Sequence, residues 1–157
     1  MNHSSGKFPD AGPVHTSDGH LLDQWAERCA SRDDSPAHQR TGRRGEEDTY
    51  FYLRRLGYVM VARNYRSPRR RGEIDLIGWD RDILCFFEVK TRTSRRVKPA
   101  EAAADYDKQR ELWFVAREYL RHLPPDVPCR FDAVSVYYEN PASRPDIELF
   151  KNAFVVA

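Results

Sequence analysis

Two apolar segments, Gly72–Trp79 and Ile83–Arg92, flank the short turn Arg81-Asp82, and three ionisable side chains interrupt them: Asp75, Glu88 and Lys90. Apolar runs of this length, bounded by turn residues, read as a buried β-hairpin. Charged side chains are rarely buried unless they are paired or hold a metal. With Arg81 and Asp82 as a two-residue loop, Asp80 pairs with Ile83. Counting back along both strands then sets Asp75 opposite Glu88 and Glu73 opposite Lys90. Directly opposed residues have Cβ atoms about 4.5–5.5 Å apart. Two carboxylates that close repel, and desolvation adds to the cost. A divalent cation removes both problems, and Mg²⁺ takes one or two carboxylates plus waters and phosphate oxygens. Glu88 and Lys90 share a strand face, so Lys90 falls beside such an ion. A slip of one residue destroys the arrangement.

The spacing Asp75…Glu88-x-Lys90 resembles the motif of the restriction-endonuclease-like PD-(D/E)xK nuclease superfamily, with Ile74 where that motif has proline. The wider set is similar to the YraN-like family of bacterial proteins. It comprises Gly45-Glu46, Leu53 with Gly57-Tyr58, Asn64-Tyr65-Arg66, Gly72 to Ile77, Phe87 to Arg92, Lys108-Gln109 and Arg130-Phe131-Asp132. The resemblance covers roughly residues 42–154. It implies an α/β restriction-endonuclease-like fold in αβββαβ order, with a mixed sheet of about four to five strands flanked by helices. It implies Mg²⁺ or Mn²⁺ held by Asp75, Glu88 and the Val89 carbonyl, with Lys90 catalytic. Glu46 points to the metal or its water by the same resemblance; a carboxylate favoured at a helix N-terminus is the other reading. Lys108 and Gln109 would lie near the phosphate, though an exposed helix face accounts for them equally well. Glu73 fits an ion pair with Lys90 better than metal ligation. Asp132 reads as structural, and Trp79 and Trp113 as core or half-buried aromatics rather than base-stacking platforms.

Charge along the chain is uneven. The net is +2, yet residues 40–98 hold sixteen basic and eight acidic side chains. Arg66, Arg69, Arg70 and Arg71 precede the hairpin motif; Arg92, Arg95, Arg96 and Lys98 follow Lys90. Flanking basic clusters suit a polyanion, nucleic acid above all, held without reading its sequence. A solvated loop surface is the plainer explanation of the arginines taken alone.

Three cysteines without a close pair exclude a disulfide framework and a zinc ribbon. Cys85 and Cys129 lie in apolar patterns and read as small buried thiols. There is no long apolar run and no apolar signal region, which leads to a cytoplasmic protein without a membrane segment. Residues 1–40 are expected to be a disordered polar tail, with a possible short helix at residues 21–30. Residues 41–157 are expected to form the domain. A helix is expected to open at Thr41 or Gly42 and stop at Gly57, followed by a strand from Tyr58. Near residues 104–122 a helix leads to a fourth strand, Cys129–Tyr137, and a short fifth, Asp146–Lys151. Strand, crossover helix, strand favours a parallel pair.

The function expected is metal-dependent hydrolysis of nucleic acid, DNA first, with low sequence specificity. Branched DNA enters by analogy with archaeal junction resolvases. A non-catalytic nucleic-acid-binding module on the same fold is the alternative. An adaptor with a buried salt-bridge network is a third class.

Overall fold

The computed structural model describes residues 14–16, 36–93 and 105–154. The elements are β1 (Val14–Thr16), α1 (Pro36–Arg55), β2 (Val59–Arg66), β3 (Glu73–Asp80), β4 (Ile83–Arg92), α2 (Asp105–Leu120), β5 (Cys129–Tyr137) and β6 (Asp146–Phe154). One sheet holds all six strands in the order β1-β6-β5-β4-β3-β2. The β2–β3–β4 meander is antiparallel, α2 carries the chain across to β5, and β4 and β5 are parallel. This is the mixed α/β arrangement expected, consistent with a restriction-endonuclease-like fold.

β4 is the centre of the molecule. Leu84 to Val89 are all buried, as befits a strand covered on both faces. Ile77, Leu84, Phe86, Leu112, Val115 and Phe131 form the core beneath α2. Tyr52, Leu53, Leu76, Phe87, Val134 and Val136 form the core beneath α1. Trp79 and Trp113 are partly buried against the first of these cores.

α1 lies close to the sheet because position 45 has no side chain. A Cβ on Gly45 would stand 1.8 Å from Thr91 Oγ1. Tyr138 fixes the same helix from β5's end by donating its hydroxyl to Asp48, while the Arg44 guanidinium lies 4.3 Å over its ring. The helix ends where expected: Gly57 adopts φ +96°, and Tyr58 N–H reaches back to Leu53 C=O at 3.1 Å.

Its start differs from the expectation. α1 opens at Pro36, and the Thr41 hydroxyl donates to Ala37 C=O at 3.0 Å, one turn back, instead of capping the helix. Proline suits a first helical turn, but the polar residues after it carry no apolar period to announce a helix. The tail is also not wholly unstructured, since Val14–Thr16 pairs in parallel with Leu149–Lys151 of β6. Three residues are too few to show strand periodicity. The helix expected at residues 21–30 lies outside the described residues. Cys85 is buried, but Cys129 is exposed, because it heads β5 at the rim of the sheet.

A candidate active site at the opening of the hairpin

The β3–β4 ladder runs in the expected register from Asp80–Ile83 to Leu76–Phe87. The next positions along the two strands are Asp75 and Glu88. At this point the Asp75 side chain takes over from the backbone ladder: its Oδ2 accepts the Val89 N–H at 2.7 Å. In an extended strand a residue's N–H and C=O point to the same side, so the Val89 carbonyl faces this opening too. β4 continues to Arg92 alongside β5.

Glu88 is 1% exposed. Its Oε1 meets Lys90 Nζ at 2.7 Å and also the Lys108 ammonium from the first turns of α2. Its Oε2 is buried and makes no hydrogen bond among the described residues. A buried carboxylate oxygen without a donor is costly, so this atom marks where a further positive group fits.

The two carboxylates divide their roles. Burial, followed by the charge of Glu88, pushes the Asp75 pKa well above the usual carboxylate range, against the Val89 N–H and Lys108. Burial also raises Glu88, but Lys90 and Lys108 outweigh it and hold that group below its ordinary value. Like charges brought together in this way titrate as a pair, the first to ionise being the one with cations beside it.

Glu46, one residue after the tight Gly45–Thr91 contact, comes close enough for its charge to add to the rise at Asp75. Its Oε2 accepts Asn64 Nδ2–H at 2.8 Å. Asn64 carries no motif that marks it as a site residue. It adopts φ +48° near the end of β2, a conformation asparagine tolerates, but nothing in the spacing tied it to Glu46.

The other expected residues fall in three groups. Asp75, Glu88, Val89, Lys90, Glu46 and Lys108 come together, and Gln109 is half-buried next to Lys108. Arg69, Arg70 and Arg71 are exposed on the loop before β3, and Arg92 is half-buried at the end of β4. Arg95, Arg96 and Lys98 lie outside the described residues. Glu73 is a correction: it pairs at 2.5 Å with Arg66, its direct neighbour across β2 and β3, while Lys90 turns to Glu88. The register follows the count as far as Leu76–Phe87, but beyond it Lys90 has a fully buried anion two residues away on its own strand face. Asp132 is structural: it accepts Arg130 Nε–H at 2.9 Å and Asn152 N–H at 2.8 Å. Arg130 also reaches Asp80 at 2.9 Å.

Among the described residues no group of three or more His, Cys, Asp or Glu side chains is arranged around a metal position. No helix among the described residues is long and apolar enough to cross a membrane.

The model of the uncharacterised protein family UPF0102 matches residues 45–136. The chain belongs to this family. The matched span opens at Gly45 and takes in Glu46, Asp75, Glu88, Lys90 and Lys108. The UPF0102 protein of Koribacter versatilis is 52% identical over 124 residues, covering 79% of this chain and 85% of that protein. That of Solibacter usitatus is 45% identical over 114 residues, covering 72% and 84%. That of Symbiobacterium thermophilum is 44% identical over 119 residues, covering 74% and 97%. The resemblance to YraN-like proteins is thereby borne out, and the UPF0102 span is the part of the fold that builds the site.

Proposed function

We propose that this domain is a metal-dependent phosphodiesterase acting on nucleic acid, DNA first, with low sequence specificity. The observation that carries the reading is the buried Glu88 Oε2, which makes no hydrogen bond among the described residues, together with a buried Asp75 whose carboxyl feels the Glu88 charge. Two carboxylates in low dielectric and one oxygen without a donor fit a divalent cation. Asp75, Glu88 and the Val89 carbonyl would hold Mg²⁺ or Mn²⁺. When bound, the ion polarises the phosphate and makes an adjacent water more acidic.

The rest of the chemistry belongs to the chain. The Lys90 ammonium, held by Glu88, is placed to orient the attacking water and to oppose charge building on the phosphate oxygens. Lys108 adds a second cation from α2. Glu46, steadied by Asn64, fixes water at the edge of the site. Arg69, Arg70 and Arg71 hold the backbone without contacting base edges.

The double ion pair on Glu88 Oε1 favours a second reading, a binding module in which Glu88 anchors two lysines for phosphate. Purified protein on single-stranded, duplex and branched substrates separates the two. Cleavage in Mg²⁺ or Mn²⁺, abolished by EDTA and by Lys90→Ala, supports the phosphodiesterase. Binding that ignores EDTA, with no product under either metal, supports the module.

A further inference from the structure

One exposed face of α2 carries a line of residues that the reaction does not use. Tyr106, Arg110, Trp113 and Arg117 follow the i, i+4, i+7, i+11 spacing of one helix face. Tyr106 is 73% exposed, while Lys108, which holds Glu88, is two residues on and turns to the other side of the same helix. Trp113 rests partly on the core, and the Arg117 guanidinium lies 4.5 Å over its ring. The exposed guanidinium thus covers the ring and carries positive charge outward. On the next line of the helix, Arg70 from the basic loop lies 4.9 Å over Phe114 in the same manner. From Tyr106 to Trp113 the helix rises about 10 Å.

The face itself holds two guanidinium groups and no carboxylate, while α2 as a whole holds four acidic residues, Asp105, Asp107, Glu111 and Glu118, against three basic ones, Lys108, Arg110 and Arg117. What it adds to charge is π surface. Aromatic rings and guanidinium planes stack unpaired bases, whereas bases inside a duplex are already stacked on one another.

We propose that the Tyr106–Arg110–Trp113–Arg117 face of α2 binds single-stranded nucleic acid, stacking its bases on the helix that also supplies Lys108 to the site. This rests on the nucleic-acid reading above and sharpens its substrate to an unpaired strand or the unpaired arm of a branched one.

The test measures binding in EDTA, where no strand is cut. The probes are a fluorescein-labelled oligodeoxythymidylate and a duplex of matched length. Wild type binds the single strand more tightly. Tyr106→Ala weakens single-strand binding about tenfold, the usual worth of one base stack, and changes duplex binding less than about twofold. Tyr106→Phe keeps the affinity, because the ring and not the hydroxyl is used. Intrinsic tryptophan fluorescence falls on adding oligonucleotide, and Trp113→Phe removes most of that change. Equal weakening on both probes for Tyr106→Ala overturns the proposal, as does a polyglutamate peptide that competes as well as the oligonucleotide. A wild type that cleaves DNA in Mg²⁺ yet prefers the duplex overturns this inference alone. One that binds neither probe and cleaves nothing overturns the nucleic-acid reading with it.

Discussion

The Asp75 carboxylate takes the Val89 N–H at 2.7 Å, where a backbone carbonyl of β3 would otherwise continue the ladder. One side chain thus ends the hairpin, orders the strand that carries Glu88 and Lys90, and sets a second carboxylate against Glu88. A substitution here changes both structure and charge, so the choice of substituent decides what is measured.

Gly45 places α1, and with it Glu46. Gly45→Ala puts a methyl group 1.8 Å from Thr91 Oγ1 and 2.9 Å from its Cβ. The helix must move, at a cost of about 1–3 kcal/mol. Thr91→Ala in the same chain removes the nearer clash but leaves the Cβ, so it recovers part of the stability. Thermal melts of both single variants and the double variant show the coupling. Additive effects would mean that the helix does not bear on Thr91.

Much of this arrangement was legible in the sequence. The hairpin register followed from a two-residue turn, and the two-residue period of a strand placed Glu88 and Lys90 on one face. The helix-crossed parallel pair followed from element order. What was not legible depended on contacts between distant elements with no local pattern. Asn64 on Glu46 is one, the Arg66–Glu73 pair is another, and the Pro36 start of α1 lay in a polar stretch without period. Lys108 was visible only by resemblance. Its contact with Glu88 depends on how α2 lies on the sheet.

Lys90 and Lys108 share Glu88 Oε1. Either single alanine substitution leaves the buried carboxylate one cation, so each melts near wild type. The double variant strands it, at a cost of about 3–5 kcal/mol. Denaturant titration of the four proteins gives the interaction energy. Purely additive effects would show that one lysine does not stand in for the other.

At the opposite end of β3, burial pushes the Asp80 pKa up, but Arg130 and Lys151 more than reverse it, and the group sits below its ordinary value. The folded state therefore favours the ionised form. Its contribution is fully present above the unfolded pKa of about 4 and is lost as pH falls through the lower folded value. Asp80→Asn should lose stability near pH 7 and converge on wild type in strong acid. A gap independent of pH would mean that packing, and not charge, sets the effect.

The basic loop should reveal itself through salt. Removing one phosphate-binding cation lowers the slope of log K against log salt by about 0.9 on duplex DNA. Arg69, Arg70 and Arg71 changed together to glutamine should flatten the slope by up to about 3 on this scale. Arg66→Gln should do less, since its guanidinium is paired with Glu73. An unchanged slope in the triple variant would place the phosphates elsewhere.

Asp75→Asn separates chemistry from stability. The amide oxygen can still accept the Val89 N–H, so the end of the ladder is kept. What disappears is a buried negative charge facing Glu88, whose repulsion, with burial, raises the Asp75 pKa. In EDTA the variant should therefore melt at or above wild type. Asp75→Ala, which also loses the hydrogen bond, should melt lower, by about 1–3 kcal/mol for the orphaned donor. Adding Mg²⁺ should raise the wild-type melting temperature by linkage, because only the folded chain assembles the two carboxylates. Asp75→Asn should gain little from Mg²⁺ and should not cleave, while it still binds nucleic acid. A salt-bridge network predicts the opposite pattern. Asp75→Asn would then melt well below wild type in EDTA and Mg²⁺ would shift neither protein, which would remove the basis for a metal at this site.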